Sequence, residues 1–242
     1  MANTHCVIFK YTGKYGHFLK AEANASAPSY PFPPRTALLG LLGAVMGFEK
    51  DTCQVKLETA KIAVSGGAEL THWHTANLRK DPPGLLPRKI KKNDNGSSKN
   101  QRNTQIIQEW LIRPDFTVYA MLPNPFHDDL CRRLQNRNWH FSPCLGLSEM
   151  AADLFFVDCV EVEHLPMGKH HVETLARRDQ VSLSIEELLD ENMSAKSIRM
   201  PCAVTCDRQF SHATYLYPIG GSSLPVKTEY AVKAGGHILQ WL

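Results

Sequence analysis

The sequence lacks a hydrophobic run long enough to cross a membrane. The uncharged stretch at residues 36–48 is well short of the roughly 20 apolar residues that a transmembrane helix needs. It begins too far along the chain for a signal peptide, and charged residues follow it at 49–51 in place of a small-residue cleavage site. We therefore expect a core helix here, no membrane partner and a cytoplasmic location.

The sequence also lacks paired cysteine motifs. It has seven cysteines, an odd number, with no C-x-x-C pairs, so we expect reduced thiols. Cys202 and Cys206 are four residues apart, but no second close pair accompanies them. His72 and His74 would share one face of a strand, yet no third ligand is nearby. We expect no metal site and no cofactor, and interpret the histidines as nucleic-acid contacts or plain surface.

Net positive charge is absent outside one segment. The chain is 21% charged and 43% hydrophobic, which is ordinary for a folded soluble protein, and its net charge is +3. Residues 79–102 carry a net charge of +6, so the remaining residues sum to −3. This concentration favours a polyanion partner, although a solvated loop without a partner has the same composition. The basic side chains are Arg79, Lys80, Arg88, Lys89, Lys91, Lys92, Lys99 and Arg102.

The most informative stretch is residues 29–47, SYPFPPRTALLGLLGAVMG. Its last proline stands where a helix begins, and apolar residues then recur at three- and four-residue steps until Gly47 ends the pattern. Gly40 and Gly43 lower helix propensity, which indicates a close approach on their side. The free N–H groups of the first turn and Arg35 could bind an anion, or Arg35 could simply lie on the surface.

The order of predicted elements indicates an α+β fold. We predict strands at 4–11 and 54–65, a hairpin at 105–122 around Pro114, a helix opening at 127–134 and a strand at 154–162, with no internal repeat. This is the βαββαβ pattern of a ferredoxin-like domain. We predict that domain at 1–165, with an insertion at about 79–104. A β-rich region would follow at 166–242, with a helix at 185–192 and strands at 213–217 and 230–242.

A short loop at residues 13–20 combines lysines and aromatic side chains. Lys14, Tyr15, His17 and Lys20 form a mixture that suits phosphate contact and base stacking. A solvated turn whose aromatic rings cover the edge of the core would look the same. The four tryptophans, Trp110 among them, are more often core or interface anchors than stacking platforms.

Several separated stretches together resemble one family. They are His17-Phe18, residues 30–36 (YPFPPRT) leading into 39–44 (LGLLGA), residues 143–149, and the closing 230–232 with 237–239. The chain resembles the fifth-numbered family of CRISPR-associated proteins in the RAMP superfamily, nearest to its I-B-like group. The resemblance implies a ferredoxin-like, RRM-related fold with a protruding basic thumb, and a subunit of the type I surveillance complex called Cascade.

The resemblance also implies partners and binding residues. Such a subunit binds the 5′ handle of CRISPR RNA (crRNA) and caps the backbone filament beside the large subunit that reads the PAM. Tyr30, Tyr15 or His17 would stack on bases, Arg35 would hold a phosphate, and lysines would follow the RNA backbone. The predicted RNA-binding residues are Lys14, Tyr15, His17, Lys20, Tyr30, Arg35, Thr36, Arg79, Lys80, Arg88, Lys89, Lys91, Lys92, Arg102 and Arg208. Arg208 could instead pair with Asp207.

Two alternatives stay open at this point. One branch of the family, in type I-C systems, cuts precursor RNA with a tyrosine near the first helix and a lysine–histidine pair at the second. Tyr30 and His127 match two of these positions, but the lysine is missing. Because metal-free cleavage needs a cation for the developing phosphorane charge, we expect a binder and not an enzyme. In the second alternative, residues 79–92 contact PAM-proximal target DNA.

Overall fold

A computed structural model describes residues 4–23, 26–79, 103–190, 193–219 and 223–242, so residues 80–102 of the predicted insertion lie outside the described residues. The helices are α1 (Arg35–Met46), α2 (Cys53–Lys56), α3 (Phe126–Gln135) and α4 (Ile185–Asp190), with a 3-10 turn at Arg178–Gln180. The strands are β1 (His5–Gly13), β2 (Tyr15–Gly16), β3 (Ser26–Ala27), β4 (Lys61–Gly67), β5 (Leu70–Arg79), β6 (Asn103–Ile112), β7 (Asp115–Met121), β8 (Ala152–His164), β9 (Gly168–Val172), β10 (Ala176–Arg177), β11 (Ser182–Leu183), β12 (Ser194–Val204), β13 (Phe210–Ile219), β14 (Leu224–Thr228), β15 (Val232–Ala234) and β16 (His237–Leu239). The fold is mixed α+β and rich in strands, as predicted.

The main sheet is built around β1. Its order is β16-β15-β8-β1-β7-β4, with antiparallel neighbours. Val7 and Phe9 of β1 belong to the larger core together with the leucines of α1, whereas Cys6 and Ile8 belong to a second core with Tyr119. A strand that is buried on both faces reads as a continuous apolar run, which is the pattern of residues 6–9.

Helix α1 begins and ends where the sequence predicts. Pro34 precedes its first residue, and Gly47 adopts the left-handed conformation with φ 77°. The N–H groups of Gly47 and Phe48 donate to the carbonyls of Ala44 and Gly43, which satisfies the last turn. The two glycines of the helix differ: a Cβ on Gly43 would press on Cys53, whereas a Cβ on Gly40 would meet nothing within 4 Å. Close approach is thus confirmed for Gly43 alone.

The predicted strand at 54–65 is wrong in its first half. α2 occupies 53–56, and β4 begins only at Lys61. The N–H groups of Lys56 and Leu57 donate to the carbonyls of Thr52 and Cys53, and α2 packs against α1. Contact with α1 therefore decides the conformation of a short polar segment whose own sequence pattern is ambiguous.

The predicted hairpin at 105–122 is also wrong, although both of its strands exist. β6 pairs with β5, β2 and β3, whereas β7 lies between β1 and β4. The chain turns at Arg113, whose φ is 46° and whose N–H donates to the carbonyl of Lys14. β7 is apolar enough for the centre of a sheet and β6 is not, so the two strands enter different sheets.

The C-terminal region adds two small sheets and extends the main one. The small sheets have the orders β10-β13-β12 and β11-β14-β9, and β15 pairs with β8 of the main sheet. The helix and strands predicted within 166–242 correspond to α4, β13, β15 and β16. The division of the chain at residue 165 stays a prediction. Within the described ranges, no helix has the length and hydropathy to span a bilayer.

Candidate nucleic-acid interface

Three aromatic side chains form a row on one face of the β5–β6 ribbon. The register places His72 opposite Trp110 and His74 opposite Gln108, so these side chains share a face. The ring of His74 lies 4.1 Å from that of Trp110, and the ring of Tyr15 lies 5.3 Å from it. We call Tyr15, Trp110 and His74 the aromatic row. The three side chains are partly exposed, and aromatic side chains arranged in this way can bind unstacked bases.

A cation stands at one end of the aromatic row. The Lys14 Nζ atom lies 5.4 Å from the centre of the Tyr15 ring. β2 holds this pair in place because Tyr15 and Gly16 pair with β6 and the Lys14 carbonyl accepts the N–H of Arg113. The predicted contacts Lys14 and Tyr15 are thus brought beside Trp110, which sequence reasoning assigned to a core or an interface. This proximity depends on the pairing of strands that are distant in sequence, and no local motif predicts it.

The opposite face of the ribbon is different in character. Trp73 and Ile107 are each 50% exposed there, and their cross-strand partners are Glu109 and Thr75. Glu109 is not free to bind a ligand, because its carboxylate accepts the N–H of Ser29 at 3.0 Å. This face has exposed apolar surface, and among the described residues no cation lies over the Trp73 ring. It is therefore a suitable control for the aromatic row.

Both strands of the ribbon lead into the basic segment at the same end, where Arg79 pairs with Asn103. β5 ends at Arg79 and β6 begins at Asn103. The predicted contacts between them lie outside the described residues, and so does the side chain of Arg79. These contacts are Lys80, Arg88, Lys89, Lys91, Lys92 and Arg102, and their roles stay predictions.

Two other predicted stacking residues are buried. His17 and Tyr30 are 2% and 1% exposed, and the His17 Nδ1–H group donates to the carbonyl of Glu109 at 2.8 Å. Burial raises the pKa of Tyr30, an effect that the nearby backbone N–H of Ala21 partly offsets. Within the described residues, no group stands in hydrogen-bonding geometry with the phenol oxygen of Tyr30. The geometry therefore does not support stacking of either ring on a base.

Arg35 contacts protein carbonyls. Its Nη2 atom donates to the carbonyls of Glu58 and Ala60 at 2.8 and 2.9 Å, and Nη1 donates to that of Cys202 at 3.2 Å. Burial lowers the pKa of Arg35, which still leaves it charged at neutral pH. We call this arrangement the Arg35 clamp. It joins α1, the approach to β4, and β12, so the geometry favours a structural role over the predicted phosphate contact.

A groove of about 830 Å³ runs along the face of α1 that carries Thr36, Gly40 and Ala44. Phe141 and Phe210 line it and are each 52% exposed. Its charged lining residues have both signs and are Glu49, Lys50, Asp51 and Arg208. The groove is therefore apolar, with no excess of cations.

The remaining predicted contacts are Arg208, Thr36 and Lys20, of which Arg208 and Thr36 line the groove. Arg208 pairs with Asp51 at 2.8 Å across exposed surface, and not with Asp207. Thr36 lines the groove, and its backbone carbonyl accepts the Nε2–H of Gln54. Lys20 is half-buried, and its backbone N–H donates to the carbonyl of Pro28. RNA contact by any of the three stays a prediction.

His127 lies elsewhere and is buried. Its Nδ1 accepts the N–H of Leu122 at 3.4 Å, its Nε2 lies 3.9 Å from the Cys159 Sγ atom, and burial lowers its pKa. Tyr30 packs instead against the segment around Phe18 and lines the groove. The two side chains required for RNA cleavage thus have different surroundings. Among the described residues no cluster of three or more His, Cys, Asp or Glu side chains is placed to bind a metal ion.

Comparisons with known proteins address the family and the fold. A family model described as CRISPR-associated protein (Cas_Cas5) matches residues 6–212. A search of curated proteins finds no match. A chain from a CRISPR RNA-guided surveillance complex shares 15% identity at a TM-score of 0.55, with 91% of each chain covered.

Two further solved structures have similar folds. A CRISPR protein from Archaeoglobus fulgidus is 14% identical, with 97% of each chain covered and a TM-score of 0.53. A chain of the type III-B Cmr-beta complex bound to cognate target RNA and AMPPnP is 10% identical, with 92% of this chain and 86% of that chain covered and a TM-score of 0.50. At such identities the similarity concerns the fold.

Proposed function

Since this chain belongs to the Cas_Cas5 family of CRISPR-associated proteins, as its sequence predicted, we propose that it is a non-catalytic RNA-binding subunit of a type I surveillance complex. In this role it binds the 5′ handle of crRNA. It caps the backbone filament, beside the large subunit that reads the PAM, and so supports RNA-guided recognition of foreign DNA in the cytoplasm. The solved structures of similar fold include a surveillance complex and an RNA-bound complex, which supports a place in a ribonucleoprotein.

The observation that carries the proposal is the aromatic row at the root of a ribbon that leads into the basic segment. Stacking on Tyr15, Trp110 and His74 would hold splayed bases, and Lys14 lies at the end of the row. The lysines and arginines of residues 80–102 would follow the phosphates. Aromatic platforms combined with a cationic track are the usual means of binding single strands.

We further propose a ferredoxin-like, RRM-related first domain with a thumb insertion. Along the chain, its elements follow one another as βαββαβ, in the order β1, α1, β4, β7, α3 and β8. In the sheet, the four strands have the order β8-β1-β7-β4. Both orders support this fold. The position of residues 80–102 between β5 and β6 supports a thumb. Contact of the thumb with a backbone subunit or with PAM-proximal DNA is part of the same proposal.

The alternative, a ribonuclease that uses Tyr30 and His127, is not favoured. Cleavage needs a base and an acid within hydrogen-bonding reach of one phosphodiester. Both side chains are buried, and they pack against different parts of the chain. We therefore place RNA cutting in a separate enzyme.

Replacing Trp110 with leucine is expected to weaken binding of the handle RNA about 5- to 160-fold, because a stacked base contributes about 1–3 kcal/mol. His74→Ala should act in the same direction with a smaller effect. Fluorescence anisotropy with labelled repeat RNA in metal-free buffer measures both, and the RNA should stay full length. Trp73→Leu is the matched control on the opposite face and should change the affinity less than twofold. A larger loss for Trp73→Leu than for Trp110→Leu contradicts the proposed face.

The basic segment is tested by salt dependence. Replacing Lys89, Lys91 and Lys92 with alanine is expected to lower the log–log salt slope by about 2, since each neutralised phosphate of a single strand contributes about 0.7. The slope is measured by titration between low and physiological salt, with duplex DNA as a competitor. An unchanged slope removes the segment from RNA binding, and stronger competition by duplex than by RNA assigns it to DNA.

A further inference from the structure

A small pocket lies at the outer edge of the main sheet, and its lining shares no residue with the aromatic row or with the groove along α1. Its volume is about 300 Å³, at the lower end of the range for small-molecule sites. The outermost strand β4, the segment between β9 and β10, and the end of β13 surround it. We call it the edge pocket, and three of its lining residues, Glu173, Phe32 and Tyr217, decide its chemistry.

The edge pocket lies where the covering of β4 ends. The carbonyls of Ile62 and Val64 accept the N–H groups of Leu242 and Leu175, so the C-terminal region covers this edge as far as Val64. Gly66 lies two residues further along β4 and lines the pocket. The pocket is therefore a gap between the C-terminal region and the sheet.

Glu173 is the one charged residue that lines the edge pocket within the described part of the chain, and its side chain is 33% exposed. Its Oε2 atom accepts the Nδ1–H of His237 at 2.7 Å, and its Oε1 atom accepts the N–H of Ile238 at 3.4 Å. These two donors hold the carboxylate in place and leave a lone pair free on each oxygen. No described lysine or arginine forms an ion pair with Glu173, so its negative charge is available to a cationic ligand.

Two aromatic rings form a wall of the same pocket. The rings of Phe32 and Tyr217 are 5.1 Å apart and meet edge to face at 68°. Burial raises the pKa of Tyr217, so its ring keeps a neutral phenol. Aromatic faces attract a cation, and they also limit the water in the pocket, which strengthens the attraction between a carboxylate and a positive charge.

We propose that the edge pocket binds a primary alkylammonium group, with the Glu173 carboxylate as its acceptor and Phe32 and Tyr217 as its aromatic wall. An ammonium group is compact and can donate to a single free lone pair. A guanidinium group prefers both oxygens of a carboxylate at once, and here both already accept hydrogen bonds from His237 and Ile238. The same ammonium chemistry is found in a free diamine and in a lysine side chain of a partner protein.

Isothermal titration calorimetry of the full-length protein without RNA tests the proposal. The probes are putrescine, which is a diamine, and Nα-acetyl-lysine methylamide, which carries the ammonium group on a lysine side chain. The control ligand 1,4-butanediol has the shape of putrescine without its charge. We expect both cations to bind at a single site and the diol not to bind. Tighter binding of putrescine identifies a free diamine as the ligand, and tighter binding of the lysine derivative identifies a partner's side chain.

Glu173→Gln should weaken binding of the tighter probe at least about tenfold, because the acceptor loses its charge. Tyr217→Leu should weaken it about two- to fivefold, whereas Tyr217→Phe should retain the affinity because it retains the ring. Glu161→Gln, at an exposed carboxylate of β8, removes the same charge elsewhere and should leave the affinity unchanged.

Three results overturn the proposal. The first is that neither cation binds, and the second is that 1,4-butanediol binds as well as putrescine, so that charge has no part in recognition. The third is that Glu161→Gln weakens binding as much as Glu173→Gln, which shows that the cations collect on acidic surface in general. The first two results need only the unmodified chain, so the test does not depend on whether a variant folds.

Discussion

Replacing Arg35 with alanine is expected to lower the free energy of unfolding by about 3 kcal/mol. The substitution removes three hydrogen bonds from a charged donor to the carbonyls of Glu58, Ala60 and Cys202, each of a kind that contributes about 1.5–3 kcal/mol and that is not additive with its neighbours. The carbonyls of Ala60 and Cys202 would be left partly buried without this donor, whereas the carbonyl of Glu58 is exposed to water. Chemical denaturation followed by circular dichroism measures the loss.

The same variant distinguishes the clamp from the phosphate contact that the sequence predicted. If Arg35 serves only the fold, the folded fraction of Arg35→Ala should bind RNA with an unchanged salt slope. Arg35→Lys should recover only part of the stability, because an ammonium group cannot span three carbonyls as a planar guanidinium does. Arg199→Ala, at an exposed arginine of β12, should cost less than about 0.5 kcal/mol. If Arg35→Ala keeps full stability but shows a reduced salt slope, Arg35 contacts a phosphate as the sequence predicted.

Replacing Gly146 with alanine is expected to destabilise the protein by at least about 3 kcal/mol. Gly146 has φ +90°, and a Cβ there would overlap the carbonyl oxygen of His17. This contact is fixed from both sides, because the His17 N–H donates to the carbonyl of Leu145 at 2.9 Å and the His17 ring donates to Glu109. Neither the segment around Gly146 nor the segment around His17 can move away without breaking these hydrogen bonds. Thermal and denaturant unfolding measure the effect.

Gly236 offers a matched control for that prediction. Its φ is +93°, yet a Cβ there would meet nothing within 4 Å. Gly236→Ala should therefore cost only the backbone strain, about 1–2 kcal/mol. The difference between the two variants isolates the steric overlap at His17. Equal losses would show that strain alone explains Gly146 and that the loop around it can yield.

Local elements of this fold could be predicted where a segment carries its own start and stop signals. α1 is the clearest case, since Pro34 and Gly47 bound a helical pattern whose limits need no tertiary contact. The strands around residues 4–11 and 154–162 are equally local, because both segments are rich in β-branched and aromatic residues. Pairing between strands was less predictable. β6 and β7 follow one another at a tight turn, yet each finds its partners elsewhere.

The candidate site shows the same division. Lys14 and Tyr15 could be selected from their chemistry, but their neighbours Trp110 and His74 come from strands far along the chain. Tyr30, His17 and Arg35 have suitable chemistry too, and burial or carbonyl contacts give them another role. Residue type shows what a side chain is able to do. Only packing shows whether it reaches solvent.

From its amino acids alone this protein could be recognised as a member of its family, as a mixed α+β chain and as one with its positive charge concentrated at residues 79–102. These properties depend on composition, local periodicity and short motifs, all of which are features of the sequence itself. Tertiary structure alone decided that Arg35 binds carbonyls, that β6 leaves β7, and that an aromatic row forms beside Lys14. The physical reason is that each of these depends on the register and burial of segments distant in sequence, and no local signal specifies them.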